Sequence, residues 1–162
     1  LPISPQNWPW NHCCAGHQSK GVDCSNFSGW NYNWGLGIHL NTAIRTQAEQ
    51  ATVKGDRGEE HAKVIKRPEG EPEKWYDEIC KTLQPGDLLY IMDNKRTKVT
   101  HVIMWIGECG QSPDGTPLIM DSTGGKIKDC EGHAIPCGIH LRPFKKGSWY
   151  HKSFSHAHRW VD

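Results

Sequence analysis

Three short apolar blocks in the second half of the chain do most to limit what it can fold into. They are Leu88–Met92 (LLYIM), His101–Gly107 (HVIMWIG) and Pro117–Asp121 (PLIMD). Each is too short for a buried helix and is bounded by turn formers, which is the pattern of core strands. Leu83-Gln84-Pro85-Gly86-Asp87 precedes the first block. The polar stretch Asp93–Lys98 joins the first to the second, and Cys109–Thr116 joins the second to the third. Connections this short reverse the chain, so successive strands pair antiparallel. Gly124-Gly125 turns the chain again, Lys126–Lys128 begins a further strand candidate, and Ile139–Phe144 and Ser148–Phe154 are two more.

The first half has a different period. Phe27, Trp30 and Trp34 follow i, i+3, i+7, which predicts a helix from Cys24 to about Trp34, stopped by Gly35 and Gly37. Residues 41–52 form a second helix candidate with Asn41 or Thr42 as N-cap, and a short helix is expected around Glu73–Thr82. Residues 1–20 hold three prolines and two tryptophans with no helical period, and read as an irregular arm packed by its aromatics. Residues 54–74 are polar, charged and punctuated by Gly and Pro, and read as a polar surface insertion. Helices first and an antiparallel meander after them make an α+β fold, and 162 residues fit a single domain, 1–162.

Composition excludes several classes of function. Nineteen basic against eighteen acidic residues give a net charge of +1, so the chain lacks the basic surplus of a general nucleic-acid binder. No run approaches the ~18 apolar residues of a membrane span. No basic n-region followed by an apolar h-region is present, so no intact signal peptide is expected in the chain. Seven cysteines and ten histidines are many for this length. Seven is odd, so if thiols pair at least one is left over, a candidate nucleophile or ligand. The other six either pair in an oxidising compartment or stay reduced.

One thiol stands in a special place. Cys24 lies where a loop enters the first predicted helix, and helix N–H groups and the positive end of the dipole favour a thiolate there. The backbone N–H groups of Cys24 and Ser25 are also placed to stabilise an oxyanion. A thiolate needs a base. His101 opens a strand candidate, from whose end its side chain can reach the helix terminus. The base in turn needs an acceptor on its other ring nitrogen. Asp121 ends the next strand, and in a hairpin the start of one strand lies beside the end of its neighbour. Cys24, His101 and Asp121 therefore make a geometrically sensible triad.

These residues carry a family resemblance. Gly21-Val22-Asp23-Cys24-Ser25-Asn26-Phe27 resembles the G-x-D-C-S-G-F segment of the NlpC/P60 peptidases, and Leu83–Tyr90 their L-Q-P-G-D-L-x-F segment. His101–Gly107 is similar to their H-V-G-I-Y-x-G strand, and Leu118–Gly124 falls where the family has its third polar residue. The resemblance implies a papain-like fold with N-terminal helices packed on a small antiparallel sheet. It implies a thiol hydrolase without metal or other cofactor, with Cys24 as nucleophile, His101 as general base and Asp121 in the orienting place. It places Asp23 and Ser25 against the substrate's N-terminal part. Trp10 and Trp34 are candidate walls of the substrate groove. The implied substrate is a peptide of the bacterial cell wall, cut between D-glutamate and a diamino acid. The role is wall remodelling or that of a secreted antibacterial effector, the latter with an inhibitor or immunity protein as partner. A wall substrate implies a secreted or periplasmic location. The sequence departs from the family pattern at Asn26, where Gly is common, at Asp121, where His is frequent, and upstream of Cys24, where no Tyr matches.

Other readings use other residues. His12-Cys13-Cys14-x-x-His17 and Cys130-x-x-His133-x-x-x-Cys137 could together hold a structural zinc in a binding module, although neither is a recognised ligand knuckle, and disulfides or surface residues are the plainer reading. An amidase or acyltransferase acting on a lipid or small amide would use the same triad. His151, His156 and His158 read as the outward face of an edge strand, and Asp87 as a turn residue.

Overall fold

The three apolar blocks become the centre of one six-stranded antiparallel sheet. The structure, a computed structural model, describes residues 22–124 and 127–162, apart from the side chains of Glu108 and Gln111. The expected arm 1–20, with Trp10 and the His12–His17 cluster, lies outside the described residues. In chain order the elements are α1 (Cys24–Leu36), α2 (Ile44–Glu49), β1 (Thr52–Gly55), β2 (Gly58–His61), β3 (Lys63–Lys66), α3 (Pro72–Thr82), β4 (Leu88–Met92), β5 (Val99–Gln111), β6 (Pro117–Thr123), β7 (Ile127–Lys128), β8 (Ala134–Ile135), β9 (Gly138–Pro143), α4 (Trp149–Lys152) and β10 (Phe154–Arg159). The sheet order is β3-β10-β4-β5-β6-β9, and β1-β2 and β7-β8 form separate hairpins.

The block Leu88-Leu89-Tyr90-Ile91 is apolar without alternation because both faces of β4 are covered. Leu89 and Ile91 join Ile103, Trp105, Ile119, Trp75, Ile79 and Phe154 in one cluster, which includes residues of α3. Leu88 and Tyr90 join Val102, Tyr32, Leu40 and Ala48 in a second, which includes residues of α1 and α2. Gly107 sits at φ +54 where the β5–β6 register shifts, and a Cβ there would run into the Trp105 indole.

Four expectations are corrected. The stretch 54–74 is not all surface loop: it holds most of the β1–β2 hairpin, all of β3 and the start of α3. Strand β3 owes its conformation to pairing with β10, and Ile65 anchors it in the core. The segment 148–154 is mainly a helical turn, because the Ser148 hydroxyl accepts the His151 N–H as an N-cap and starts α4. Strand β10 is interior, lying between β3 and β4, so His158 is buried and not on the outward face of an edge strand, while His151, also buried, belongs to α4. Finally, α1 does not bury its aromatic stripe. Its buried residues are Ser25, Asn26, Ser28, Gly29 and Tyr32, whereas Trp34 is 71% exposed and stacks on Trp30 with ring centroids 4.9 Å apart. Small and polar residues let α1 approach α2 closely: Ser28 donates to Gln47 Oε1 at 3.1 Å, and Gln47 Nε2 donates to the Ser25 carbonyl at 3.1 Å. Gly37, at φ +66, ends the helix as its C-cap, while Gly35 lies inside it.

Asp87 is more than a turn residue. It accepts from the Gln84 N–H at 2.8 Å and pairs with Arg159 through two hydrogen bonds, Nε–Oδ1 at 2.8 Å and Nη2–Oδ2 at 2.7 Å. Both side chains are buried, so the pair ties the L-Q-P-G-D turn to the end of β10. Asp87→Ala leaves the guanidinium buried without its counter-charge. We expect a loss of about 3–5 kcal/mol, read by urea unfolding, and an unchanged midpoint would refute the linkage. A second expectation concerns pH. Burial, and then its neighbour His156, hold the His158 imidazole down at about 4. The folded chain therefore resists a proton that the unfolded chain accepts near pH ~6.5. The contribution to stability is complete above that pH and is lost progressively as pH falls towards 4. His158→Phe should flatten the fall in stability over this window, as measured by melting temperature against pH.

Candidate active site

The site is built where the start of α1 meets one end of the sheet. Asp23 is the N-cap of α1 and accepts the Asn26 N–H at 2.8 Å, while its carbonyl accepts the Phe27 N–H at 2.9 Å. Among the described residues no partner takes the N–H of Cys24 or of Ser25. The Ser122 hydroxyl donates to the Val22 carbonyl, which pins the entry to α1 beside the end of β6. Cys24 is thus the first helical residue, half-buried, with the strand that carries Asp121 held next to it.

His101 and Asp121 come together as the hairpin argument expects. Met104 pairs with Met120, so continuing that register puts Asp121 diagonally across from His101 on the same face. His101 Nε2 lies 2.6 Å from Asp121 Oδ2, with the aspartate side chain fully buried. Burial alone would push the imidazole down. The Asp121 hydrogen bond and then the hydrogen bond and charge of Cys24 outweigh burial, and raise it to about 9. With Nε2 engaged by Asp121, Nδ1 is the nitrogen left available for the thiol. The ring is flanked by Tyr150, stacked at 5.8 Å, and by Trp149, also at 5.8 Å.

Asp121 has two further partners that sequence reasoning missed. Arg142 Nη1 donates to its Oδ1 at 2.5 Å, and the Tyr150 hydroxyl donates to its Oδ2 at 2.7 Å. Arg142 is wholly buried. It also donates to the carbonyls of Asp121, His140, Pro136 and Gly138, so one guanidinium ties β6, β9 and the loop before β9. A sequence signal did exist, since a lone arginine inside the strand candidate Ile139–Phe144 needs a buried acceptor. Tyr150 gave no comparable signal, because its segment reads locally as strand.

The other expected site residues divide. Asp23 is exposed beside Cys24, and its carboxylate is occupied as a helix cap. Ser25 is buried and donates to the Thr42 carbonyl at 2.7 Å. Trp34 lies ten residues further along α1, about 15 Å along the axis from Cys24. Cys130 and Cys137 are free thiols, and His133 sits instead against Asp129 and Glu131, at 3.3 and 3.4 Å. A larger cleft of about 900 Å³ lies towards the opposite end of β5 from His101 and includes Cys80. Burial pushes that thiol up to about 11, which keeps it protonated and makes it a poor nucleophile.

Such a site can hold a thiolate against an imidazolium, place two N–H groups beside it, and supply a proton to a leaving group. Because its pKa is raised in the fold, protonated His101 stabilises the fold fully below pH ~6.5, and this is lost as pH rises through about 9. Asp121→Asn should bring the His101 titration midpoint well below 9, measured by NMR of the ring protons. Tyr150→Phe removes a donor that competes for the carboxylate and should move the midpoint up. Shifts in the same direction would contradict this arrangement.

Similarity to known proteins follows the same lines. The chain matches the NlpC/P60 family over residues 10–156. A solved structure of an NlpC/P60 family protein from Bacillus cereus ATCC 10987 superposes with a TM-score of 0.50 at 18% identity, over 89% of this chain and 33% of that one. This chain therefore spans about a third of that protein's length, and at this identity the likeness speaks for the fold alone. No curated protein sequence matches it.

Proposed function

Because the chain belongs to the NlpC/P60 family, whose members are generally cysteine peptidases and amidases of the cell wall, we propose that it is a thiol hydrolase cutting an amide bond in peptidoglycan stem peptides. The observation that carries the reading is the place of Cys24 at the start of α1 beside His101, whose ring is hydrogen-bonded to the buried Asp121. The bond between D-glutamate and a diamino acid is the preferred target, and wall remodelling and attack on a competing bacterium are its two settings. The latter would call for an inhibitor or immunity protein in the producing cell. Either setting places the protein outside the cytoplasm, in the periplasm or secreted.

In this mechanism the Cys24 thiolate attacks the amide carbon and forms a tetrahedral oxyanion. The N–H groups of Cys24 and Ser25 bind that oxygen, and one such donor is worth about 3–4 kcal/mol. The C–N bond breaks as protonated His101 gives its Nδ1 proton to the leaving nitrogen, which departs as an amine. Neutral His101 then takes a proton from water, which attacks the thioester and releases the carboxylate and free Cys24. Asp121 keeps the tautomer and stabilises the imidazolium throughout. Asp23, exposed beside the nucleophile, is the flanking residue best able to touch the acyl half. Buried Ser25 would act through the position of Asp23, Trp34 is a candidate for a more distant contact, and Trp10 is a candidate groove wall.

Cys24→Ala should abolish hydrolysis of purified muropeptides while leaving the melting temperature close to that of the parent. Mass analysis of the products names the bond cut. Full activity in that variant, or products in which an acyl group is transferred rather than hydrolysed, would overturn the assignment.

A further inference from the structure

His151 is completely buried, and no step of the reaction uses it. Both of its ring nitrogens are engaged. Nδ1 accepts the Gly147 N–H at 2.9 Å, and Nε2 lies 2.9 Å from the Pro72 carbonyl. A backbone N–H only donates and a carbonyl only accepts, so the ring is neutral with its proton on Nε2. It stands edge-on to Trp75 and Tyr76 of α3 and to Phe144 just after β9, with centroids 4.7, 4.9 and 6.2 Å away. We propose that His151 is a positioning residue for the site: through α4 it holds Tyr150 and Trp149 against the His101 ring.

Three observations carry the proposal. The first is that α4 cannot hold itself. It is one turn of four residues, and a turn that short has no stability apart from its contacts. The second is direction. Successive helical residues stand about 100° apart, so Tyr150 and His151 leave the turn on different sides. Tyr150 faces the site, where its ring stacks on His101 and its hydroxyl donates to Asp121 Oδ2. Trp149 flanks the same imidazole at 5.8 Å. His151 faces α3, so its bond to Pro72 ties the aromatic pair to that helix. The third is constancy. Burial holds the His151 imidazole below its ordinary range; the Pro72 carbonyl and Glu73 oppose this, and Lys146 and Lys152 reinforce it. His151 therefore stays neutral while His101 titrates near 9, and the anchor does not change as the site changes charge.

The test follows the His101 ring protons by NMR as pH is raised, with the melting temperature measured alongside. His151→Phe keeps an aromatic ring and removes both hydrogen bonds, while His151→Asn keeps an acceptor for Gly147 and loses the donor to Pro72. Both should move the His101 midpoint upward, as Tyr150→Phe does, by about half a pH unit or more. In a chain already carrying Tyr150→Phe they should add little, since both changes act on the one hydroxyl–carboxylate contact. His151→Gln keeps a donor for the Pro72 carbonyl and should recover most of the shift. Ile79→Val, a change in the same core cluster as Tyr150, should lower the melting temperature and leave the midpoint in place. An unmoved midpoint in His151→Asn, full additivity with Tyr150→Phe, or an equal shift in Ile79→Val would each overturn the proposal. Its consequence for turnover rests on the thiol-hydrolase reading: His151→Asn should lower kcat on muropeptides about tenfold and change KM far less. Failure of that reading looks different, with muropeptides uncut by the parent chain while the midpoints move as described.

Discussion

The Asp121 carboxylate is the point on which the rest of the site depends. It is fully buried, and it meets three groups at once: the His101 imidazole, the Arg142 guanidinium and the Tyr150 hydroxyl. A carboxylate taken out of water is tolerated only when such partners replace its hydration. The same contacts also fix the plane and tautomer of His101. Arg142 then spreads the constraint outwards, because its remaining donors hold the carbonyls of Pro136, Gly138 and His140. The β6–β9 pairing, the loop before β9 and the base of the site are one hydrogen-bonded unit.

A second buried ion pair, Asp87–Arg159, performs a comparable task away from the site. It locks the turn before β4 to the last strand, and β4 is the strand that aligns β5 and with it His101. The two pairs fasten segments far apart in sequence within a sheet whose strand order departs from chain order. Between them, α1 and α2 meet through Ser25, Ser28, Gly29 and Gln47, an interface of small and polar groups whose hydrogen bonds are directional where apolar contact would not be. Directional contacts suit a helix whose first residue must sit at one distance from an imidazole on another element.

Much of this was legible from local sequence. The apolar blocks marked β4, β5 and β6, the Pro-Gly turn marked the entry to β4, and the placement of Cys24, His101 and Asp121 followed from element ends alone. The errors have separate causes. Strand β3 and the interior position of β10 come from pairing between segments about 90 residues apart, which no local window registers. The aromatic period of α1 gave the correct element and the wrong face, because periodicity records where large side chains recur and says nothing of which surface the neighbouring helix can approach. Ser148 was a capping residue in a segment whose composition reads as strand, and the cap prevailed.

The sequence by itself determined the chemistry available: one cysteine at a helix start, one histidine at a strand start, one aspartate at the end of the next strand, and a family pattern linking them. Spacing along the chain suffices for these, since element ends and hairpin registers are local properties. Only the tertiary structure decided what surrounds them. Arg142 and Tyr150 reach Asp121 from 21 and 29 residues away, and Trp149 reaches His101 across 48 positions. Those contacts depend on how β9 and α4 fold back onto the sheet, and the energy that places them there is the burial of apolar and aromatic surface, with hydrogen-bonded partners offsetting the cost of burying charge.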